Sequence, residues 1–293
     1  MFCYNTKSIM NFFEKGKLYM EWKNIYRGMM MGASDVVPGV SGGTIAVVLG
    51  IYDQLIEAVN GFFSKEWKKH LGFLIPLGIG VLAAIFLLAG VIEYLFEHYP
   101  GPTQFTFLGL IIGVLPYLLH KSEAKYKFKV NHFFLLFIGI AIVASMLFFR
   151  SDTTAPITDI TLATYGFLFL AGFIASAAMI LPGISGSFLL LIIGVYGTVI
   201  NAISEFKIDI IAVVGLGIAM GILVMSKVIH YFLEHYTTAT FAVIIGLVTG
   251  SIFVIFPGWP TTTGGVIISI VTFALGLFVA FLLGRVEYKD VRV

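Results

Sequence analysis

The sequence predicts an all-α integral membrane protein made of two inverted-topology repeats. Composition, long uncharged runs and a duplicated motif support this prediction. The 293 residues are 59% hydrophobic and only 12% charged, with a mean hydropathy of +0.99. Soluble domains carry about 25% charged residues, so this chain is expected to fold within a bilayer.

Six apolar runs predict membrane-spanning helices, because a helix needs about 20 residues to cross a bilayer. They cover residues 71–92, 104–119, 133–149, 210–225, 239–256 and 263–284.

Two further regions are too long for a single span. Residues 160–204 carry no charge over about twice the length of one crossing, and residues 24–63 are their counterpart. Each contains a Pro-Gly break, which ends a helix by removing a backbone donor. Each is therefore predicted to form a helical hairpin, either re-entrant or fully crossing.

The breaks carry the duplicated motif. The first copy has Pro38 and Gly39 followed by Ser41, Gly42, Gly43 and Thr44, and the second has Pro182 and Gly183 followed by Ser185, Gly186 and Ser187. The copies align at an offset of 144, as do Tyr52 and Tyr196. Further on, the Glu-His-Tyr segments at 97–99 and 234–236 align at an offset of 137.

Each repeat therefore contains a hairpin and three spans, and three is an odd number. A hairpin returns to its own side, so the second repeat is expected to be inverted. The predicted organisation is a cytoplasmic segment (1–23), repeat one (24–150), repeat two (160–284) and a cytoplasmic tail (285–293). In this topology, fifteen of the 18 basic residues fall on the cytoplasmic side, as the positive-inside rule requires.

The motif suits an anion site. A helix that starts just after a break presents free N–H groups and a positive dipole end. We expect a phosphate or carboxylate to bind between residues 41–44 and residues 185–187. The plainer alternative is a Pro/Gly turn with Ser41 or Ser185 as an ordinary N-cap.

Three charged side chains are weaker candidates for headgroup binding or coupling. Asp35 is an acid within a membrane hairpin, which is a functional hypothesis by default, but it could also cap a helix or pair with Arg27. Arg27 could meet an anionic headgroup or simply flank the membrane. Lys227 could line the path or extend to the interface.

Other classes of function lack support in the sequence. The single cysteine, Cys3, allows no intramolecular disulfide, and no Cys/His cluster indicates a metal. No cofactor is predicted, and the basic residues lie in short loops rather than in a nucleic-acid-binding patch. Walker and His-Glu-x-x-His motifs are missing.

The duplicated motif resembles that of the bacterial polyprenyl-phosphate transporter family, over about residues 21–284. The resemblance implies a translocase that returns undecaprenyl phosphate, an anionic polyprenyl lipid, across the cytoplasmic membrane for envelope synthesis. Proton or potential coupling and alternating access are expected, with both termini cytoplasmic.

Two alternatives stay open at this point. The chain could be a proton-coupled carrier of a small soluble anion. Membrane undecaprenyl-diphosphate phosphatases use similar hairpins, but there an arginine follows the motif serine. Here Gly42 and Gly186 hold those positions, which removes a bidentate phosphate clamp and favours carrying a phosphate over cleaving it.

Overall fold

The computed structural model describes residues 20–35, 41–65, 67–149, 157 and 159–287, and all regular structure in these residues is helical. The helices are α1 (Lys23–Asp35), α2 (Gly42–Val48), α3 (Tyr52–Asn60), α4 (Trp67–His98), α5 (Pro100–Lys121), α6 (Ala124–Lys127), α7 (Val130–Ser145), α8 (Leu162–Met179), α9 (Gly186–Ile193), α10 (Tyr196–Ser204), α11 (Ile208–His235), α12 (Thr237–Ile255) and α13 (Thr263–Glu287).

Seven helices in the described part of the chain are long and apolar enough to cross a membrane. Six of them, α4, α5, α7, α11, α12 and α13, correspond to the six predicted spans. The seventh is α8, the first arm of the predicted second hairpin. Its second arm is bent by 113° between α9 and α10, where Gly194 adopts a φ of +84°.

Helix pairs pack through glycines that recur in both halves of the chain. A Cβ at Gly80 of α4 would overlap the carbonyl oxygen of Ile25 on α1, and one at Gly217 of α11 would overlap that of Phe169 on α8. These two contacts match at the offsets of 137 and 144 found in the sequence. Gly80 and Gly217 therefore serve close helix packing, as small residues commonly do between helices in membranes.

A second set of glycine contacts joins one half of the chain to the other. Gly109 of α5 lies against Phe273 of α13, and Gly246 of α12 lies against Leu136 of α7. The two contacts are again related by an offset of 137. The second span of each half therefore packs on the third span of the other half.

The core lies where the first hairpin enters this assembly. All seven residues of α2 are buried, and α2 contacts α1, α5 and α13 while α3 contacts α11. In contrast, only Gly186 and Phe188 of α9 are buried. The two hairpins share a sequence motif but are not equally enclosed.

Candidate functional site

The two motif copies are in direct contact at the centre of the protein. The backbone N–H of Gly183 donates to Oγ1 of Thr44 over 2.7 Å, between residues 139 positions apart. Gly43 lies against the end of α8, where an added Cβ would be 3.1 Å from the carbonyl oxygens of Met179 and Ile180. The structure thus brings the start of α2 to the second break.

Both motif serines cap the helices that follow the breaks. Ser41 has an extended backbone, and its hydroxyl accepts from Thr44 N–H at 3.2 Å. Ser185 accepts from Phe188 N–H at 3.5 Å, and its hydroxyl lies 2.9 Å from that of Ser187. Both serines therefore act as N-caps, and Ser187 lies half-buried beside the second cap.

Asp35 already occupies part of the predicted anion site. Its Oδ1 accepts the backbone N–H of Gly42 over 2.6 Å, so a carboxylate sits at the first turn of α2. An added Cβ on Gly42 would lie 2.7 Å from the other carboxylate oxygen. This contact shows that the Gly42 N–H at the start of α2 can bond a carboxyl oxygen.

The remaining predicted residues lie apart from this contact. The guanidinium of Arg27 donates to Oδ1 of Asn24 at 2.8 Å, one turn back towards the start of α1 and away from Asp35. Lys227 is exposed on α11, beside the exposed Val228. Pro38 and Gly39 lie outside the described residues, whereas Pro182 and Gly183 are buried in the turn after α8.

Tyr52 is a site residue that sequence reasoning used only to align the repeats. Its side chain is 3% exposed, and its hydroxyl donates to the carbonyl oxygen of Ile180 at 3.2 Å. It therefore ties α3 to the second break. The recurrence of tyrosine at positions 52 and 196 was the signal that could have identified it.

An ion pair lies immediately beside Tyr52. Nζ of Lys121, at the end of α5, is 2.7 Å from Oδ2 of Asp53 and 5.4 Å from the ring centroid of Phe241. The other oxygen, Oδ1 of Asp53, is buried and has no hydrogen-bond partner among the described residues. The pair joins α3 to α5 at one end of the bundle.

Two cavities approach this centre. An apolar one of about 380 Å³ lies between α11 and α12 and reaches Tyr52 and Leu181. A more polar one of about 480 Å³ lies beyond Asp53 and includes His70 of α4 and His230 of α11. Tyr52 therefore stands at the inner end of an apolar cavity.

These features define a multi-pass membrane protein with two broken helical segments in contact at its core. The chain belongs to the VCA0040-like family, which is described as undecaprenyl phosphate translocase-like and whose model matches residues 31–269. The family resemblance noted in the sequence is thereby confirmed.

Two relatives cover most of the chain. A polyprenyl-phosphate transporter of Staphylococcus aureus is 45% identical over 278 residues, covering 92% of this chain and 98% of its own length. A polyprenyl-phosphate transporter of Vibrio cholerae is 35% identical over 260 residues, covering 84% and 81%. No solved structure matches the chain.

Proposed function

We propose that this protein is a membrane transporter, not an enzyme, and that it moves polyprenyl phosphate across the cytoplasmic membrane. The observation that carries the proposal is the contact between Thr44 and Gly183, which joins the two helix breaks at the buried centre. Two relatives named polyprenyl-phosphate transporters align with nearly the whole chain, so the same fold is expected to serve the same substrate. Undecaprenyl phosphate recycling is the expected cellular role.

The phosphate is proposed to bind at the breaks, between residues 41–44 and residues 185–187. Broken helices in transporters place N-terminal N–H groups near the middle of the membrane, where they bind anionic groups. The hydrogen bond from the Gly42 N–H to the carboxylate of Asp35 supports this assignment. A phosphate oxygen accepts hydrogen bonds from the same kind of backbone N–H at a helix start. To bind the phosphate, the hydroxyls of Ser41 and Ser185 would give up the hydrogen bonds with which they now cap α2 and α9.

Asp35 is proposed to couple phosphate binding to proton uptake. As a carboxylate it competes with the phosphate for the Gly42 N–H. Protonation removes its charge and so weakens this hydrogen bond, which favours exchange for the phosphate. Uptake of the anion is then accompanied by a proton. Lys227, which is exposed, is proposed to act earlier, on headgroups at the membrane surface. Arg27 is buried and is proposed to bind the headgroup after it enters the protein.

An inverted repeat is proposed as the basis of alternating access. The glycine contacts equate α4 with α11, yet His70 near the start of α4 and His230 near the end of α11 line one cavity. Equivalent helices that run in opposite directions support an inverted arrangement. Movement of one half against the other would then expose the breaks to each side in turn.

Transbilayer movement of a labelled polyprenyl phosphate in proteoliposomes tests the proposal. The double variant Ser41→Ala/Ser185→Ala should lose movement, because both hydroxyls leave the proposed site. Thr161→Ala is the matched control, since Thr161 caps α8 with the same geometry at an exposed position and each cap is worth about 1 kcal/mol.

Asp35→Asn should still bind polyprenyl phosphate but lose the pH dependence of the rate of its movement.

The outcomes separate the function from the site. A folded wild-type protein that moves no polyprenyl phosphate overturns the function, and uptake of inorganic phosphate or release of phosphate would then identify a soluble-anion carrier or a phosphatase. Movement by the double variant at the rate of Thr161→Ala overturns the site while the function stands.

A further inference from the structure

The apolar cavity between α11 and α12 is lined almost wholly by hydrocarbon. Three of its lining residues carry hydroxyl groups: Tyr52, Tyr236 and Thr240. Tyr52 donates to Ile180, and Thr240 donates to the carbonyl oxygens of Phe232 and Tyr236 at 2.9 Å each. With two of these three hydroxyls engaged, the cavity offers little to water or to a polar ligand, because apolar cavities stay dry and accept apolar guests.

The outer edge of the cavity opens on the exposed surface of α11 and α12. Val228, Phe232 and Tyr236 line it and are 42%, 45% and 54% exposed. Deeper in, Ile229 and Ile244 are only 5% and 2% exposed. The cavity therefore runs from the exposed side of α11 and α12 into the core.

The inner end of the cavity is the second helix break. Leu181 lines the cavity and directly precedes Pro182 and Gly183. Tyr52 also lines it while its hydroxyl bonds to Ile180. If the phosphate of a lipid lies at the breaks, its hydrocarbon tail therefore has a continuous apolar path through the cavity.

We propose that this cavity holds the first isoprenyl units of polyprenyl phosphate, next to the headgroup. The rest of the polyprenyl tail then leaves between α11 and α12 into the bilayer. The inference rests on the proposed function and adds a site that recognises the polyprenyl tail of the lipid. Specificity for a lipid over free phosphate then arises here, since the breaks themselves recognise only the anion.

The direct test is photolabelling of the unmodified protein in vesicles with a polyprenyl phosphate that carries a diazirine in its first isoprenyl units. Label is expected on peptides of α11 and α12 around the cavity. Unlabelled polyprenyl phosphate should compete with it, and phosphatidylglycerol should not. Label confined to other helices, or equal competition by phosphatidylglycerol, overturns the proposal.

A pair of matched variants tests the consequence for transport. Ala239→Phe fills the cavity from the first turns of α12, whereas Ala274→Phe makes the same change at an exposed position of α13. Ala239→Phe should lower the initial rate of polyprenyl phosphate movement by about tenfold, and Ala274→Phe should leave it unchanged.

The failures are distinguishable. If Ala239→Phe moves polyprenyl phosphate at the wild-type rate, the proposed tail site is overturned and the proposed function stands. If the wild-type protein moves no polyprenyl phosphate, the function itself is overturned. If Ala239→Phe does not fold, the photolabelling result decides.

Discussion

Glycine at position 183 is required both by the backbone and by a neighbouring helix. Its φ of +89° lies in the region that L side chains rarely adopt, and an added Cβ would overlap the carbonyl oxygen of Leu247 on α12. Gly194 has a similar φ of +84°, but nothing lies within 4 Å of the position a Cβ would take. At Gly183 a side chain would meet both backbone strain and steric overlap, whereas at Gly194 it would meet backbone strain alone.

We therefore expect Gly183→Ala to destabilise the protein more than Gly194→Ala. The strain of a left-handed residue is about 1–2 kcal/mol and applies to both variants, while only Gly183→Ala must also displace the backbone of α12. Thermal unfolding in detergent should show a clearly lower Tm for Gly183→Ala. Equal Tm values would mean that the second break is not held against α12.

At the scale of helices, close packing depends on particular faces of α4 and α11. Gly217 lies against Phe169 of α8, whereas Gly215, two residues earlier and on roughly the opposite side of the helix, has nothing within 4 Å. The sequence alone does not distinguish them, since both are glycines in the same apolar run. Only the structure shows that Gly215, like Gly78 of α4, has open space where a Cβ would lie.

The pair offers a test of helix packing in the membrane, where small residues allow backbones to approach. Gly217→Leu should separate α8 from α11 and lower both Tm and folded yield. Gly215→Leu, with the same change in volume on the same helix, should behave as wild type. A stable Gly217→Leu variant would contradict the close approach of α8 to α11.

Some helices extend well beyond the predicted spans. The run predicted at 71–92 extends to Trp67–His98 in α4, because hydropathy marks only the part within hydrocarbon while backbone hydrogen bonding continues beyond it. The break after Met179 was predictable, since proline cannot continue the helix.

At the scale of the molecule, the positive-inside pattern predicts which loops face the cytoplasm. Lys125 follows α5 and is expected inside, whereas Lys207 precedes α11 and is expected outside. Both side chains are exposed, so both positions can report on topology.

Cysteine labelling of intact cells tests this orientation. In a Cys3→Ser background, Lys207→Cys should react with a membrane-impermeant maleimide added outside. Lys125→Cys should react only after permeabilisation. The opposite pattern would reverse the orientation, and external labelling of both would exclude the proposed topology.

The sequence by itself determined the membrane setting, six spans, the position of the second break and the duplication, because these depend on local composition and on residues close in the chain. Only the tertiary structure decided that Gly183 bonds to Thr44, that Asp35 occupies the Gly42 N–H, and that an apolar cavity ends at Tyr52. It also decided that α2 is enclosed while α9 is largely not. Such contacts join residues far apart in the chain, and they depend on how helices of similar apolar character choose partners, which a pattern of hydrophobicity does not specify.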